Sequence, residues 1–165
     1  MALPPWAVVT PERRAHVERV AALLATWAAA MHAPEGERAR WLKAAWLHDA
    51  LRDAPAANEL LHGPLAAERA AQTGEADRGV LDAVRYHSLG YAQWDDVGRM
   101  LYLADYLEPG RSFDQELRRS LAARVPEERD AILKQVAARR VARVIDSRWP
   151  LPRETVDFWN ALVGY

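Results

Sequence analysis

The chain has 165 residues, of which 50% are hydrophobic and 27% charged, a balance that excludes disorder over most of its length. Its formal net charge of −1 lacks the basic excess of a protein that binds duplex nucleic acid, so no nucleic-acid partner is expected. Cysteine is absent, which excludes disulfides, thiolate nucleophiles and cysteine-ligated zinc. Any metal would have to be held by His, Asp or Glu.

Helical periodicity extends over nearly the whole chain. Apolar residues recur at spacings of three and four, and runs of alternating β-branched residues are missing, which predicts an all-α fold. Thr10 followed by Pro11 is typical of a helix N-terminus, because the threonine hydroxyl can cap the first turn. The predicted helices are, in chain order, Pro11 to about Met31, about Glu35 to Leu51, two short helices bounded by Pro55 and Gly63-Pro64, about Glu75 to His87, about Trp94 to Leu107, Phe113 to Arg124, Pro126 to about Asp146, and a short helix from Arg153.

The apolar run of residues 20–31 is shorter than the ~20 residues that cross a bilayer, and it lacks the features of a secretory signal. We therefore expect no membrane partner and a cytoplasmic location. No repeat, low-complexity tract or linker interrupts the sequence, so residues 1–165 are expected to form a single domain.

Several predicted helices place a metal-compatible side chain on their apolar face. His16 lies within the apolar arc of the first helix, at about 100° per residue. Asp105 lies on the apolar face of the helix that ends at Leu107, and His87 shares a face with Val84. An inward carboxylate is costly unless it meets a cation or several donors.

The adjacent residues His48 and Asp49 end a helix that is apolar almost all round. Together with His16 and Asp105 they make an N₂O₂ donor set, which suits Fe, Mn, Co, Ni or Zn. No common metal-binding spacing such as His-x-x-x-His supports this set, so it depends on separate helices sending their side chains to one place.

Each of these residues also has a structural interpretation. A histidine such as His16 on an apolar face can be a hydrogen-bonded core residue, and Asp105 can pair with an arginine, Arg85 or Arg99. The basic residues of the long helix after Pro126 alternate with acidic ones, which is typical of a solvated face.

Three stretches carry a resemblance to a known family. Residues 46–53 read WLHDALRD, residues 61–64 read LHGP, and residues 86–111 contain YHSLG followed by LYLADYLEPGR. The order H…HD…D resembles the HD-domain superfamily of metal-dependent phosphohydrolases, and the last stretch is similar to the signature of its YqeK group, bacterial symmetrical diadenosine tetraphosphate (Ap4A) hydrolases. The resemblance covers about residues 10–115. It implies an HD-type helical bundle with a metal site in its interior, followed by a helical C-terminal part of about residues 116–165.

The resemblance also implies roles for individual residues. The implied metal ligands are His16, His48, Asp49 and Asp105. The residues implied near the nucleotide phosphates are Arg52, His62, His87, Arg111 and Ser112. The catalytic candidates are Asp49, Asp53 and His87, with Asp53 or His87 moving protons. We expect iron first, with Mn, Co, Ni or Zn as alternatives. His62 and His87 are assigned to phosphate in preference to a second metal that Asp49 would bridge.

The family pattern is not matched everywhere. Ser88 and Leu89 stand where the group has two threonines, and Arg52 stands where it has lysine, which keeps the charge but presents a planar fork. Both departures concern the substrate more than the reaction class. For Arg52 and Arg111 the structural alternative is a surface ion pair.

The expected function is hydrolysis of a nucleotide phosphoanhydride, with symmetrical cleavage of Ap4A to two ADP as the leading reaction. A dinucleoside polyphosphate is the expected small-molecule partner, and a homodimer is compatible with the sequence. One alternative is a nucleotide phosphomonoesterase with the same metal set. Another is a non-catalytic helical adaptor that uses the long basic helix, with Arg129, Lys134, Arg139, Arg140 and Arg143.

Overall fold

The structure, a computed structural model, describes residues 1–164, and it contains helices but no strand in that range. The helices are α1 (Pro11–Ala30), α2 (Glu35–His48), a 3₁₀ helix (Glu59–Leu61), α3 (His62–Gln72), α4 (Arg78–Tyr86), α5 (Asp96–Leu107), α6 (Gln115–Asp146) and α7 (Arg153–Val163). The prediction of an all-α fold is confirmed. None of these helices within residues 1–164 combines the length and the apolar composition that a bilayer crossing requires.

Side-chain caps fix the beginnings of several helices. The Arg13 amide donates to the hydroxyl of Thr10 at 3.2 Å, as predicted for the N-cap of α1. Asp77 and Asp95 cap α4 and α5 in the same way. The guanidinium of Arg40 on α2 donates to both carboxylates, at 2.7 Å to Asp77 and 2.8 Å to Asp95. One arginine therefore ties the N-termini of two helices to a third.

Helix α5 is the centre of the bundle. It packs against α1, α2, α4 and α6, and almost all of its residues are buried. Asp105 is one of them, only 7% exposed, on a helix otherwise lined by leucine, methionine and aromatic side chains. A carboxylate at this position requires compensating positive groups from the surrounding helices.

Helix α2 ends at His48, three residues earlier than predicted. The Ala50 carbonyl accepts a hydrogen bond from the Val8 amide at 2.7 Å, and the Asp53 amide donates to the Val8 carbonyl at 3.3 Å. Because these backbone groups pair with the N-terminal segment, they are not used to continue the helix. Asp49 consequently lies at the C-cap of α2 and not within the helix.

Helix α6 replaces the two separate helices predicted on either side of Pro126. The chain stays helical through the proline and kinks at Glu128, whose backbone angles are −127° and 30°. Proline cannot donate to the carbonyl four residues earlier, which here belongs to Ala122. The indole N–H of Trp27 donates to that carbonyl instead, at 2.9 Å. A tertiary hydrogen bond thus compensates for the one that proline removes.

Helix α3 begins at His62, so that Gly63 and Pro64 lie inside its first turn instead of forming a boundary as predicted. A Cβ atom at position 63 would lie 2.9 Å from the carbonyl oxygens of Val84 and Arg85. Glycine therefore allows the start of α3 to approach the end of α4. That approach brings His62 beside His87, the residue that follows α4.

Candidate metal centre

Six titratable side chains from five helices meet in the interior of the bundle. All six are at most 7% exposed. They are His16 on α1, His48 at the end of α2, Asp49 as its C-cap, His62 at the start of α3, His87 as the C-cap of α4, and Asp105 on α5. Helix periodicity predicted that His16, His87 and Asp105 face inward, and their burial agrees.

The carboxylate of Asp49 lies between two pairs of histidines. Its Oδ2 atom is 3.6 Å from Nε2 of His16 and 3.7 Å from Nε2 of His48. Its Oδ1 atom is 3.1 Å from Nε2 of His62 and 3.3 Å from Nε2 of His87. One carboxylate therefore offers a different oxygen to each pair, and the residues form two groups with ligand spacing that share Asp49.

Asp105 completes the first of these groups. Its Oδ1 atom lies 3.0 Å from Nε2 of His16 and 3.9 Å from Nε2 of His48. Despite the short distance, Nε2 of His16 has no hydrogen-bond partner among residues 1–164, because the directions of the groups do not fit one. Donor atoms that are close but not aimed at each other are typical of ligands that converge on a common point.

The second nitrogen of each imidazole is held by an acceptor. Nδ1 of His48, His62 and His87 lies 2.5–2.7 Å from the carbonyl oxygen three residues earlier, and Nδ1 of His16 lies 3.0 Å from the buried carboxylate of Glu108. Since these oxygens can only accept, each Nδ1 carries a hydrogen, which leaves Nε2 as the atom of each ring that can bind a metal. This is the arrangement in which proteins orient metal-ligating histidines.

The Nε2 atoms have no adequate partner in the protein itself. Those of His16 and His48 are buried without a hydrogen bond within the described residues. Those of His62 and His87 face each other at 2.9 Å, where two lone pairs would repel unless a proton or a cation lay beside them. The donor set of imidazole nitrogens and carboxylate oxygens fits a divalent transition metal.

Burial and neighbouring charges shift the pKa values of the cluster. Burial lowers the pKa of His48 to about 4. Burial also acts against the charged form of His16, but its contacts with Asp105 and Glu108 prevail and raise its pKa to about 9. Burial alone would raise the pKa of the Asp49 and Asp105 carboxyls. The surrounding imidazoles nevertheless hold the pKa of Asp49 well below its usual range, and imidazoles together with two guanidinium groups do the same for Asp105. Both carboxylates are therefore ionised at neutral pH.

Three arginines surround the two carboxylates. Nη1 of Arg13 donates to Oδ2 of Asp49 at 2.9 Å. Nη2 of Arg111 donates to Oδ1 of Asp105 at 3.0 Å, and Nη2 of Arg140 donates to Oδ2 of the same carboxylate at 3.1 Å. Asp105 does pair with arginine, but with these two rather than with the Arg85 or Arg99 considered from the sequence.

Sequence reasoning gave no site role to three of the residues that contact the cluster. Arg13 carries no signal in the sequence beyond its place on α1, and Arg140 was noted only as part of a basic helix. Glu108 belongs to the ADYLEPGR string, which could have drawn attention to it. Its carboxylate is 1% exposed and accepts from His16, from Arg19 Nε at 2.6 Å and from the Gly110 amide at 2.6 Å.

Other predicted site residues lie outside the cluster. Asp53 is exposed, and its carboxylate accepts a hydrogen bond from the Thr10 amide at 2.8 Å. Ser112 is exposed. Arg52 contacts the side chain of Glu59 at 3.4 Å and lies within 3.5 Å of its carbonyl oxygen, which also accepts from His62. The catalytic role of Asp53 and the phosphate roles of Arg52 and Ser112 stay predictions.

Comparison with known proteins agrees with this picture of the fold. Residues 13–110 match the family model described as the HD domain. A crystal structure from Clostridium acetobutylicum, described as a "predicted HD superfamily hydrolase involved in NAD metabolism", superposes with a TM-score of 0.80 at 20% identity over 94% of this chain and 91% of that one. At this identity the likeness concerns the fold alone.

Two curated relatives match a shorter segment. A Staphylococcus aureus protein named bis(5'-nucleosyl)-tetraphosphatase, symmetrical, is 41% identical over 56 residues, which cover 33% of this chain and 29% of that protein. A Bacillus subtilis protein of the same name is 39% identical over 56 residues, 33% and 30% of the respective chains. The match thus spans less than a third of these relatives.

Proposed function

This chain belongs to the HD domain family, and on that premise we propose that it is a metal-dependent phosphohydrolase that cleaves a nucleotide phosphoanhydride. The observation that carries the proposal is the Asp49 carboxylate, which offers one oxygen to His16 and His48 and the other to His62 and His87. A buried bridging carboxylate between two imidazole pairs has no evident structural purpose, because it leaves the buried Nε2 atoms of His16 and His48 without hydrogen-bond partners within the described residues.

The residues suited to hold the first metal are His16, His48, Asp49 and Asp105, with iron as the first expectation and Mn, Co, Ni or Zn as alternatives. For the second group we now favour a metal over the phosphate role expected from the sequence. The facing Nε2 atoms of His62 and His87 support this change, because one cation can bind both nitrogens at once, whereas a phosphate oxygen would need a hydrogen from each. Metal bound here would lower the pKa of a coordinated water and polarise a phosphoryl oxygen.

The chain's own residues supply orientation and positive charge. The Nδ1 hydrogen bonds hold the four imidazoles in one tautomer, and Glu108 fixes the ring of His16. Arg13 and Arg111 lie at the partly exposed edge of the cluster, where their guanidinium groups can bind phosphate oxygens in pairs. Because these positive charges are already in position in the free protein, they can stabilise the negative charge that develops on the phosphates.

Symmetrical cleavage of Ap4A to two ADP is the proposed reaction because the two curated relatives with a 56-residue match are named bis(5'-nucleosyl)-tetraphosphatase, symmetrical. If the arginines hold a diphosphate-sized half of the substrate, the second phosphorus from that end lies at the cluster. Attack there releases the other half as ADP. A site that held a triphosphate-sized half would give ATP and AMP instead.

A substrate panel tests the proposal. The protein, purified without chelator and assayed for metal content, is incubated briefly with Ap4A and with mononucleotides, and the products are separated by nucleotide chromatography. ADP as the main product from Ap4A supports the proposed reaction. ATP and AMP in equal amounts would contradict the symmetrical cut. Phosphate released from mononucleotides with Ap4A untouched would indicate a phosphomonoesterase. Absence of both metal and turnover would favour the adaptor.

The variant His48→Ala tests the metal assignment in the same assay. We expect it to lose bound metal and turnover while most helicity is retained, because the side chain is fully buried in the cluster but contributes to only one part of the core. The exposed His32 provides a control as His32→Asn, since asparagine tolerates its positive φ of 52°. A fully active His48→Ala enzyme would refute the metal centre.

A further inference from the structure

Unpartnered buried nitrogens concentrate in two places in this protein. Within residues 1–164, seven buried side-chain polar atoms have no hydrogen-bond partner. Two are Nε2 atoms of the metal centre, and one is the indole nitrogen of Trp41. The other four are guanidinium nitrogens of only three arginines, Arg111, Arg118 and Arg140. Native proteins leave few such atoms, so each group requires an explanation.

Arg118 is the most unusual of the three. It is 3% exposed, and both its Nε and its Nη1 atoms are buried without an acceptor among the described residues. Its guanidinium carbon lies 4.2 Å from the centre of the Tyr106 ring and 3.9 Å from that of Phe113. Both rings contact the cation, but an aromatic ring is a weaker acceptor for its N–H groups than an oxygen atom would be.

The neighbouring charges do not neutralise Arg118. Burial lowers the pKa of its guanidinium, and Arg111 and Arg140 nearby lower it further. No ion pair within 4 Å links Arg118 to a carboxylate in the part of the chain that the structure describes. Glu108 is the nearest acidic influence, but its oxygens already accept from His16, Arg19 and Gly110. A buried cation without an anionic partner loses hydration that nothing replaces, so an anion from outside would be strongly favoured.

The three arginines are joined to one another and to the metal centre. Arg140 lies 5.4 Å from the same Tyr106 ring that Arg118 covers, and 4.1 Å from the ring of Tyr102. Arg111 and Arg140 each donate to the carboxylate of Asp105. Positive charge thus extends from a proposed metal ligand outward to Arg118.

We propose that Arg111, Arg118 and Arg140 form an anion site for the phosphate chain of the nucleotide, beside the metal centre. The inference rests on the proposed function, because the ligand is then the diphosphate half that is held while the other half departs. Diphosphate oxygens carry enough charge and enough acceptor positions for several guanidinium groups. Arg118 and Arg140 lie beyond the segment that matches the family model, so this part of the site comes from the C-terminal third of the chain.

The test is binding of ADP and of inorganic pyrophosphate to the metal-loaded, full-length protein, measured by calorimetry. Arg118→Met keeps the apolar part of the side chain and removes the charge. We expect its affinity for both probes to fall about 10- to 100-fold, as for the loss of a charge-assisted hydrogen bond. Metal content should be unchanged, because Arg118 contacts no proposed ligand. The adjacent and exposed Arg119, changed to Met, is the matched control and should keep wild-type affinity.

A second measurement separates binding from a structural role. Because the unpaired cation destabilises the protein when no ligand is bound, Arg118→Met should keep or raise the thermal midpoint of the ligand-free form. Arg118→Lys, which keeps the charge but not the fork, should bind with intermediate affinity and serves if the methionine variant fails to fold. Wild-type affinity for both probes in Arg118→Met, or in Arg118→Lys if only that variant folds, would overturn the proposal.

The two proposals fail separately. If the protein binds ADP through Arg118 but leaves Ap4A intact, the proposed reaction is wrong and the anion site stands. If Ap4A is cleaved to ADP while ADP affinity is the same in the wild type and in Arg118→Met, the anion site is wrong and the proposed reaction stands.

Discussion

Replacement of Glu108 by Gln examines how the protein holds a proposed metal ligand. The Glu108 carboxylate is 1% exposed and accepts four hydrogen bonds, one from His16, two from Arg19 and one from the Gly110 amide. Burial acts against its ionised form, yet His16 and Arg19 lower its pKa to about 2. Glutamine has nearly the same shape but no charge, and one of its two polar atoms becomes a donor that faces donors.

The expected cost follows from what each partner can do after the change. His16 is 5% exposed and cannot turn to water, so a lost acceptor there costs ~1–3 kcal/mol. The side chain of Arg19 is 37% exposed and can be rehydrated, which limits its share to ~1 kcal/mol or less. We therefore expect the free energy of unfolding to fall by ~1–4 kcal/mol and the metal affinity to fall about 10- to 100-fold.

Urea denaturation and metal titration of the purified protein measure the two effects. Glu18 on α1 is exposed, and Glu18→Gln serves as the control for loss of an acidic charge. It should change neither quantity by much. An unchanged metal affinity in Glu108→Gln would refute the argument that this carboxylate orients His16. An unchanged free energy of unfolding would show that its four hydrogen bonds are replaced by water.

Two further predictions concern the packing of α3 and the caps of the helices. Gly63→Ala would place a Cβ atom 2.9 Å from the Val84 carbonyl oxygen, so α3 must shift. We expect elemental analysis to show loss of the metal bound through His62. Denaturation should show that the free energy of unfolding falls by ~1–3 kcal/mol. Asp77→Asn keeps a capping side chain but removes the ion pair with Arg40, whose hydrogen bond is the main cause that lowers the pKa of Asp77 to about 2. Because the pKa of Asp77 is lower in the folded than in the unfolded protein, its ionised form stabilises the fold at pH values above the unfolded pKa. The ~1–2 kcal/mol advantage of the wild type should therefore be full near neutral pH and vanish as the pH falls from about 4 to about 2. An advantage that persists at acid pH in urea denaturation would contradict this assignment.

Much of the site could be predicted from the sequence because its signals are local. The burial of His16 and Asp105 follows from helical periodicity, which depends only on residues within a few turns. The cap at Thr10 follows from the hydrogen bond between its own hydroxyl and an amide three residues later. The motif strings then identified His48 and Asp49 as part of the same group.

These signals do not decide whether His62 and His87 bind phosphate or a second metal bridged by Asp49. The sequence favours a phosphate role for His62 and His87 because four other residues already provide the ligands of one ion, and it does not show where the Nε2 atoms point. The structure brings these two nitrogens to 2.9 Å through the approach of α3 to α4 at Gly63, and it places Asp49 between the pairs because α2 ends early against the N-terminal segment. Backbone packing between distant segments decided both.

The sequence by itself determined the all-α fold, most of the helices and the side chains that face inward, since each depends on short-range periodicity and capping. Only the tertiary structure decided which charges meet. Glu108 reaches His16 across 92 residues of sequence, and Arg140 reaches Asp105 across 35. The unpaired state of Arg118 depends on every neighbour around it at once. Electrostatic pairing in a buried site acts through space, so it is fixed by how the helices pack and not by the order of residues along any one of them.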